Sequence, residues 1–290
     1  MSKYVIISDS AADLSQQMVD ELNVKIIPLS FELSGEIRYD WPDGREMDNK
    51  TFYDRLRAGE KATTAAINVA QYVETLEPYL KEGFDALVMA FSSGLSTTYN
   101  SARLAVEELA EKYPQRAIRA VDTLCASLGQ GLLVTLAARL RALGKRMEEV
   151  YDWVEQNKLC LCHQFTVDDL HFLKRGGRVS ATTAMLGTML SIKPVLHVDD
   201  EGHLIKIGTA RGRTASLKAL VDNMEKAFMG DRDQTVFISH GDCIKDAQFV
   251  GEMVKERFGI ENIYYNHIGP VIGAHSGPGT VALFHLGTNR

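Results

Sequence analysis

The chain has 290 residues, 45% of them hydrophobic and 24% charged, with a formal net charge of −6. That length fits two domains better than one ordinary core, and the composition excludes disordered and fibrous classes. The acidic balance argues against nucleic acid as the main partner, because phosphate binding needs a basic face.

Cys125, Cys160, Cys162 and Cys243 are too few for a disulfide scaffold of this length. The first residues run into a strand-like segment without the layout of a signal peptide. No apolar stretch reaches the roughly 18 residues that a membrane helix needs. The expectation is a soluble, cytoplasmic protein, not an integral membrane protein; transient contact with a membrane surface stays open.

Short β-branched runs alternate with longer amphipathic ones, which predicts α/β layers. Residues 4–8 form a strand, followed at once by the helix-capping sequence Asp9-Ser10-Ala11-Ala12-Asp13. Residues 24–29 and 85–91 give two further strands, and Ser92-Ser93-Gly94-Leu95-Ser96-Thr97-Thr98 opens a helix whose apolar stripe is Ala102, Ala105, Val106 and Leu109. A fourth strand spans 118–122, and Leu132, Leu133, Leu136, Leu140 and Leu143 mark the helix after it. Beyond a charged stretch at 144–157, residues 159–166 read as a strand and 168–174 as a helix ended by Arg175-Gly176-Gly177-Arg178. Residues 192–198 and 203–208 make a hairpin. Leu217 to Phe228 carry a helix face, 236–239 a strand, Phe249 to Val254 a helix and 263–268 a further strand. The change of pattern divides the chain into domains 1–159 and 160–290.

Hydroxyls gather where strands give way to helices: Ser8, Ser10, Ser92, Ser93, Ser96, Thr97, Thr98, Thr123 and Ser127, with Thr63 and Thr64 ahead of another helix. Each is also an ordinary helix cap. As a set, neutral donors beside helix ends suit a carboxylate better than a polyphosphate. No nucleotide loop of either glycine-rich type is present, and Cys160-x-Cys162 beside His163 lacks the second pair a zinc site needs. Ser93 or Ser96 as nucleophile, His275 as base and Asp122 as orienter would make a serine hydrolase, but the G-x-S-x-G elbow is missing. An aspartate-based phosphotransferase would need a second acid at position 11, which is Ala11. Two features stay open between function and packing. One is the glycine- and proline-rich stretch 269–279 around His275. The other is the segment 180–196, where Ala181, Ala184 and Gly187 alternate with Met185, Leu186, Met189 and Leu190: the wall of an apolar tunnel, or plain core.

Six stretches in order resemble the DegV family of bacterial fatty-acid-binding proteins, the FakB-type subunits of fatty acid kinase, along essentially the whole chain. They are Ser8-Asp-Ser-Ala-Ala-Asp-Leu14, Ser92-Ser-Gly-Leu-Ser-Thr-Thr-Tyr-Asn-Ser-Ala102, Val121-Asp-Thr123, Leu173-Lys-Arg-Gly-Gly-Arg-Val-Ser180, Ile192-Lys-Pro-Val-Leu196 and Ile268-Gly-Pro-Val-Ile-Gly-Ala-His-Ser-Gly-Pro-Gly279. The resemblance implies two α/β domains, a Rossmann-like parallel sheet followed by a second α/β unit, with a long-chain fatty acid between them. It implies a carboxylate held by Thr64, Ser96 and His275, supported by Ser93, Thr63 and Ser10. It also implies no cofactor, no metal and no catalysis by the chain alone. The acyl group is presented to a separate FakA-type, ATP-dependent kinase subunit, with Arg175, Arg178, Arg211 and Arg213 as docking groups. Two departures from the family pattern are visible: Ala65-Ala66-Ile67 replaces the serine and proline usual after Thr64, and Thr97-Thr98 replaces Gly-Thr.

Overall fold

A computed structural model describes residues 3–180 and 192–290. The tunnel candidates Met185, Leu186, Met189 and Leu190 lie outside the described residues. The first sheet has the order β2-β1-β6-β7, from β1 (Tyr4–Asp9), β2 (Lys25–Ile27), β6 (Asp85–Ala90) and β7 (Ile118–Asp122), all parallel. Ile6, Ile7, Leu87 and Val88 are completely buried, as a sheet covered on both faces requires. From β1 the chain moves to one side for β2 and later to the other for β6. This leaves a crevice at the carboxyl ends of β1 and β6, where ligands of open α/β sheets bind.

Between β2 and β6 lies an excursion the sequence reading did not contain. β3 (Ser30–Leu33), β4 (Glu36–Tyr39) and β5 (Ala62–Ala65) form a small antiparallel sheet in the order β4-β3-β5. α2 (Asn49–Arg57) packs Phe52, Tyr53 and Leu56 beneath it. The expected single strand 24–29 is therefore only β2, and Thr63 and Thr64 sit on a strand rather than in a helix-entry loop. α1 (Gln16–Glu21), α3 (Val69–Lys81) and α4 (Thr98–Lys112) complete the first layer.

The second sheet runs β10-β9-β8-β13-β11-β12, from β8 (Leu161–Thr166), β9 (Ile192–Val198), β10 (Leu204–Arg211), β11 (Val236–His240), β12 (Ile263–His267) and β13 (Val281–Leu286). Only its β11–β12 pair is parallel among the described ladders. α5 (Leu128–Ala142) is buried on nearly every side because it packs between the two sheets, sharing one core with Leu87 and Met89 of the first and Phe237 and Phe284 of the second. α6 (Met147–Asn157) joins that core, while α8 (Arg213–Ala227) and α9 (Ile244–Phe258) cover the far face. α7 (Leu170–Arg175) starts at an Asp169 cap and ends at Gly176, as the Arg-Gly-Gly-Arg sequence predicts.

Three local readings change. Residues 92–97 do not open a helix. Ser92 Oγ accepts from the Gly94 N–H at 3.2 Å and donates to the Gly202 carbonyl at 2.9 Å, which fixes a loop, and α4 begins only at Thr98. The stretch 269–279 is not all loop: Pro270 at the first helical position starts α10 (Pro270–Ser276), and Gly277 and Gly279, both at φ +79°, return the chain to β13. Cys160 closes a 3-10 turn ahead of β8 instead of lying on the strand with Cys162; all four cysteines are free thiols.

Candidate functional site

A cavity of about 470 Å³ opens where the first sheet, the small sheet, α10 and the second sheet converge. This is within the range of about 300–1,000 Å³ usual for small-molecule sites. Its walls are largely apolar: Phe91 and Leu95 follow β6, Phe165 and Phe284 come from β8 and β13, and Val271 and Ile272 from α10. The cavity also takes in Thr64, Ser93, Ser96, Arg178 and His275. Residues far apart in sequence thus meet as one strand, one loop and one short helix.

Thr64 reaches the site because β5 alternates its faces: Ala62 turns into the small core, Thr63 is exposed, and Thr64 faces α10. Its Oγ1 lies 2.8 Å from His275 Nε2. Burial, with the positive charges of Arg178 and Arg175 nearby, pushes the His275 imidazole down to about 4, so the ring is neutral at pH 7. Nδ1 is buried without a hydrogen-bond partner and faces Gly176, where a methyl group would lie 2.1 Å away. A lone pair on Nδ1 suits that position, beside two guanidinium groups, better than an N–H does. The proton then belongs on Nε2, donating to Thr64, whose own O–H is left free for an acceptor in the cavity.

Ser96 is built similarly. Its Oγ is 2.8 Å from Thr98 Oγ1 and accepts the Thr98 N–H at 3.2 Å. Either hydroxyl can donate in this pair; when the buried Thr98 hydroxyl does so, Ser96 keeps its own hydrogen for the cavity. Two neutral donors, Thr64 and Ser96, therefore stand in a mostly apolar enclosure. That arrangement suits one anionic oxygen group on an otherwise apolar molecule.

The supporting residues divide. Ser93 borders the cavity, and its backbone N–H donates to Asp122 Oδ1 at 3.1 Å. Thr63 points away on the exposed face of β5 and is no part of the cavity lining. Ser10 accepts the Leu29 N–H at 3.0 Å and serves the loop behind the site. The basic groups also part company. Arg178 belongs to the cavity wall instead of an outer surface; it donates to the Leu95 carbonyl at 2.8 Å and to the Gly176 carbonyl. Arg175 stacks over Phe172 at 4.6 Å, Arg213 pairs with Asp246 at 2.8 Å, and Arg211 is exposed at the end of β10.

The hydrolase arrangement does not assemble. Ser96 bonds to Thr98, His275 to Thr64, and Asp122 accepts the Ser93 and Leu124 backbone N–H groups. Asp9 likewise serves the fold, accepting from Phe91 N–H at 2.8 Å, Ala11 N–H at 3.1 Å and Gln130 Nε2 at 3.1 Å. Among the described residues no group of three or more His, Cys, Asp or Glu could hold a metal ion, and no helix is long and apolar enough to cross a membrane.

Sequence reasoning missed His163 and Arg178 as cavity residues. His163 accepts the Ala126 N–H at Nε2 (3.4 Å) and donates from Nδ1 to the Leu161 carbonyl (3.1 Å), with Gly129 packed against its ring. Its place on a strand beside two cysteines gave no sign of this. For Arg178 the signal was present, as glycines on its N-terminal side let the chain fold back under His275.

Three comparisons bear on this site. A family model described as an uncharacterised protein of the DegV family matches residues 3–287. A DegV domain-containing protein of Clostridium perfringens is 47% identical over 290 residues, covering 100% of this chain and 99% of the relative. A solved structure from Thermus thermophilus, of a DegV family protein reported to bind fatty acid, is 30% identical with a TM-score of 0.88, covering 98% of this chain and 99% of that one. A DegV lipid-binding protein from Thermotoga maritima is 27% identical with a TM-score of 0.87 and 99% coverage of both chains.

Proposed function

This chain belongs to the DegV family, and from that premise we propose that it binds one long-chain fatty acid in the cavity between domains 1–159 and 160–290. Thr64 and Ser96 donate to the carboxylate, and His275 orients Thr64. The observation that carries this reading is a single one: an apolar cavity in which the Thr64–His275 pair and Ser96 offer free donors. The solved Thermus relative, reported as fatty-acid-binding, supports it.

The energetics agree. Burying some fifteen methylenes yields on the order of 12 kcal/mol before association losses. A carboxylate without donors would cancel several kcal/mol of that, which the two hydroxyls offset. The bound acid is then presented to a separate ATP-dependent kinase subunit that forms the acyl phosphate. The chain supplies binding and orientation, and Arg175, Arg211 and Arg213 dock the partner or its phosphates. Titration of delipidated protein with a fluorescent long-chain acid tests the binding step, and saturable one-to-one binding is expected. For the second step, purified kinase, ATP and hydroxylamine should give acyl hydroxamate only when this protein is added. Binding without hydroxamate would reject the kinase role and leave the carrier.

A further inference from the structure

The cavity wall is polar in a second place besides the carboxylate grip. Thr64, Ser96 and His275 are each half-buried, so the grip stands at the partly exposed end of the cavity. Ser127, Ser276 and Thr280 join the wall beside Ala282 and Phe284, and all five of these residues are buried. Neighbouring positions of a helix diverge by about 100°. Ser276 and His275 of α10 therefore face different parts of the cavity.

Two of the three buried hydroxyls are already engaged. Ser127 Oγ bonds to Asp13 Oδ2 and lies 2.9 Å from Ser239 Oγ. Thr280 Oγ1 donates to the Ser276 and Gly277 carbonyls, each at 2.9 Å. Ser276 Oγ differs from both. Only 6% of the residue is exposed, yet its hydroxyl has no hydrogen-bond partner among the described residues. A helical serine can bond back to the carbonyl four residues earlier, here Ile272, and that bond is not made. An orphaned buried hydroxyl is disfavoured by its lost hydration, and alanine would suit both the helix and the apolar wall better. The hydroxyl thus stands in the wall with its hydrogen uncommitted.

We propose that Ser276 is a specificity-determining residue whose hydroxyl donates to an oxygen carried on the acyl chain, so that the cavity selects long-chain acids bearing one hydroxyl or keto group. Such a ligand offers its carboxylate to Thr64 and Ser96, one neutral acceptor to Ser276, and hydrocarbon to Phe91, Phe165 and Phe284. A chain without that oxygen leaves Ser276 unpaired in the complex. A chain oxygen set against the apolar wall elsewhere loses its water without compensation. The preference therefore falls on one position along the chain. The proposal rests on reading the cavity as the fatty-acid site.

The test is isothermal titration of delipidated wild type and Ser276→Ala with octadecanoic acid and with a set of monohydroxy octadecanoic acids that differ in the position of the hydroxyl. In wild type one isomer should bind about tenfold more tightly than the plain acid. In Ser276→Ala the same isomer should bind more weakly than the plain acid, because its hydroxyl is then buried without a donor. Ser276→Cys, whose thiol is a weak donor, should lose most of the preference and serves if Ser276→Ala does not fold. A wild type that binds the plain acid at least as tightly as every isomer would overturn the proposal, as would a preference that survives in both variants. A wild type that binds neither plain nor hydroxylated acid would reject the fatty-acid reading itself, which separates that failure from failure of the Ser276 subsite.

Discussion

Replacing Thr64 by valine removes one oxygen from the centre of the site and leaves the strand intact. Valine is β-branched and suits β5, where Thr64 is paired with Phe31. In the free protein His275 loses the 2.8 Å contact at Nε2 while its Nδ1 already lacks a partner. An orphaned buried nitrogen costs about 1–2 kcal/mol, enough to lower Tm by a few degrees. In the complex the ligand carboxylate loses a hydrogen bond from a neutral donor, worth about 1.5–3 kcal/mol. The expected result is roughly 10- to 150-fold weaker binding. Isothermal titration of delipidated Thr64→Val with a long-chain acid measures this directly, and Thr64→Ser, which restores the hydroxyl, should regain most of the affinity. Wild-type affinity in Thr64→Val would refute the reasoning. So would equal losses in the valine and serine variants, which would make the methyl group rather than the hydroxyl responsible.

Further outcomes follow from the same geometry. Gly176→Ala sets a methyl group 2.1 Å from His275 Nδ1 and should abolish measurable binding, whereas Gly177→Ala, with φ +72° and open space around it, should lose stability alone; binding assays beside thermal melts separate the two. Asp40 is buried and raised to about 7, above its unfolded value, so the native state holds an extra proton between about pH 4 and 7. Its contribution to stability is complete below that window and is lost as pH rises through it, at up to about 1.4 kcal/mol per pH unit. Buried His275, His240 and His285, each pushed down to about 4, act in the opposite sense, so the observable is the difference between wild type and Asp40→Asn. The variant should gain on wild type as pH rises from 4 to 7, and parallel melting curves would count against a protonated Asp40. Ala282→Leu fills part of the cavity from β13 and should weaken a long-chain acid more than a medium-chain one; equal losses would show that Ala282 does not border the acyl path.

How much of this was legible depended on whether the signal was local. β1, β6, β7 and the β9–β10 hairpin carry apolar runs bounded by turn residues, and the structure has them within a residue or a few. The small sheet escaped because β3 and β4 have only four residues each, and β4 exposes Ile37 while using Arg38 and Glu36 as a surface pair. No period can be read from so short a strand. At the site, Thr64, Ser96 and His275 were named through family resemblance. Their junction positions suggested caps as readily as ligand contacts, and only the packing of β5 against α10 brings Thr64 to His275. The cavity wall was sought on residues 180–196. Of these, 181–191 lie outside the described residues; the described wall residues come from strand ends, loops, α7 and α10, most of which read locally as ordinary core. Arg178 was taken for a surface group although Gly176 and Gly177 before it signal a reversal of the chain; that the reversal leads to the Leu95 carbonyl is decided by tertiary packing.

The central claim is that the cavity holds a fatty acid by its carboxylate. It is tested most directly by denaturing extraction and mass spectrometry of the protein purified from a bacterial host, with a double Thr64→Val, Ser96→Ala variant prepared in parallel. The account predicts a stoichiometric long-chain free fatty acid in the wild-type extract and strong depletion in the variant. An empty wild-type extract combined with no binding on titration, or equal fatty acid in both proteins, would contradict it.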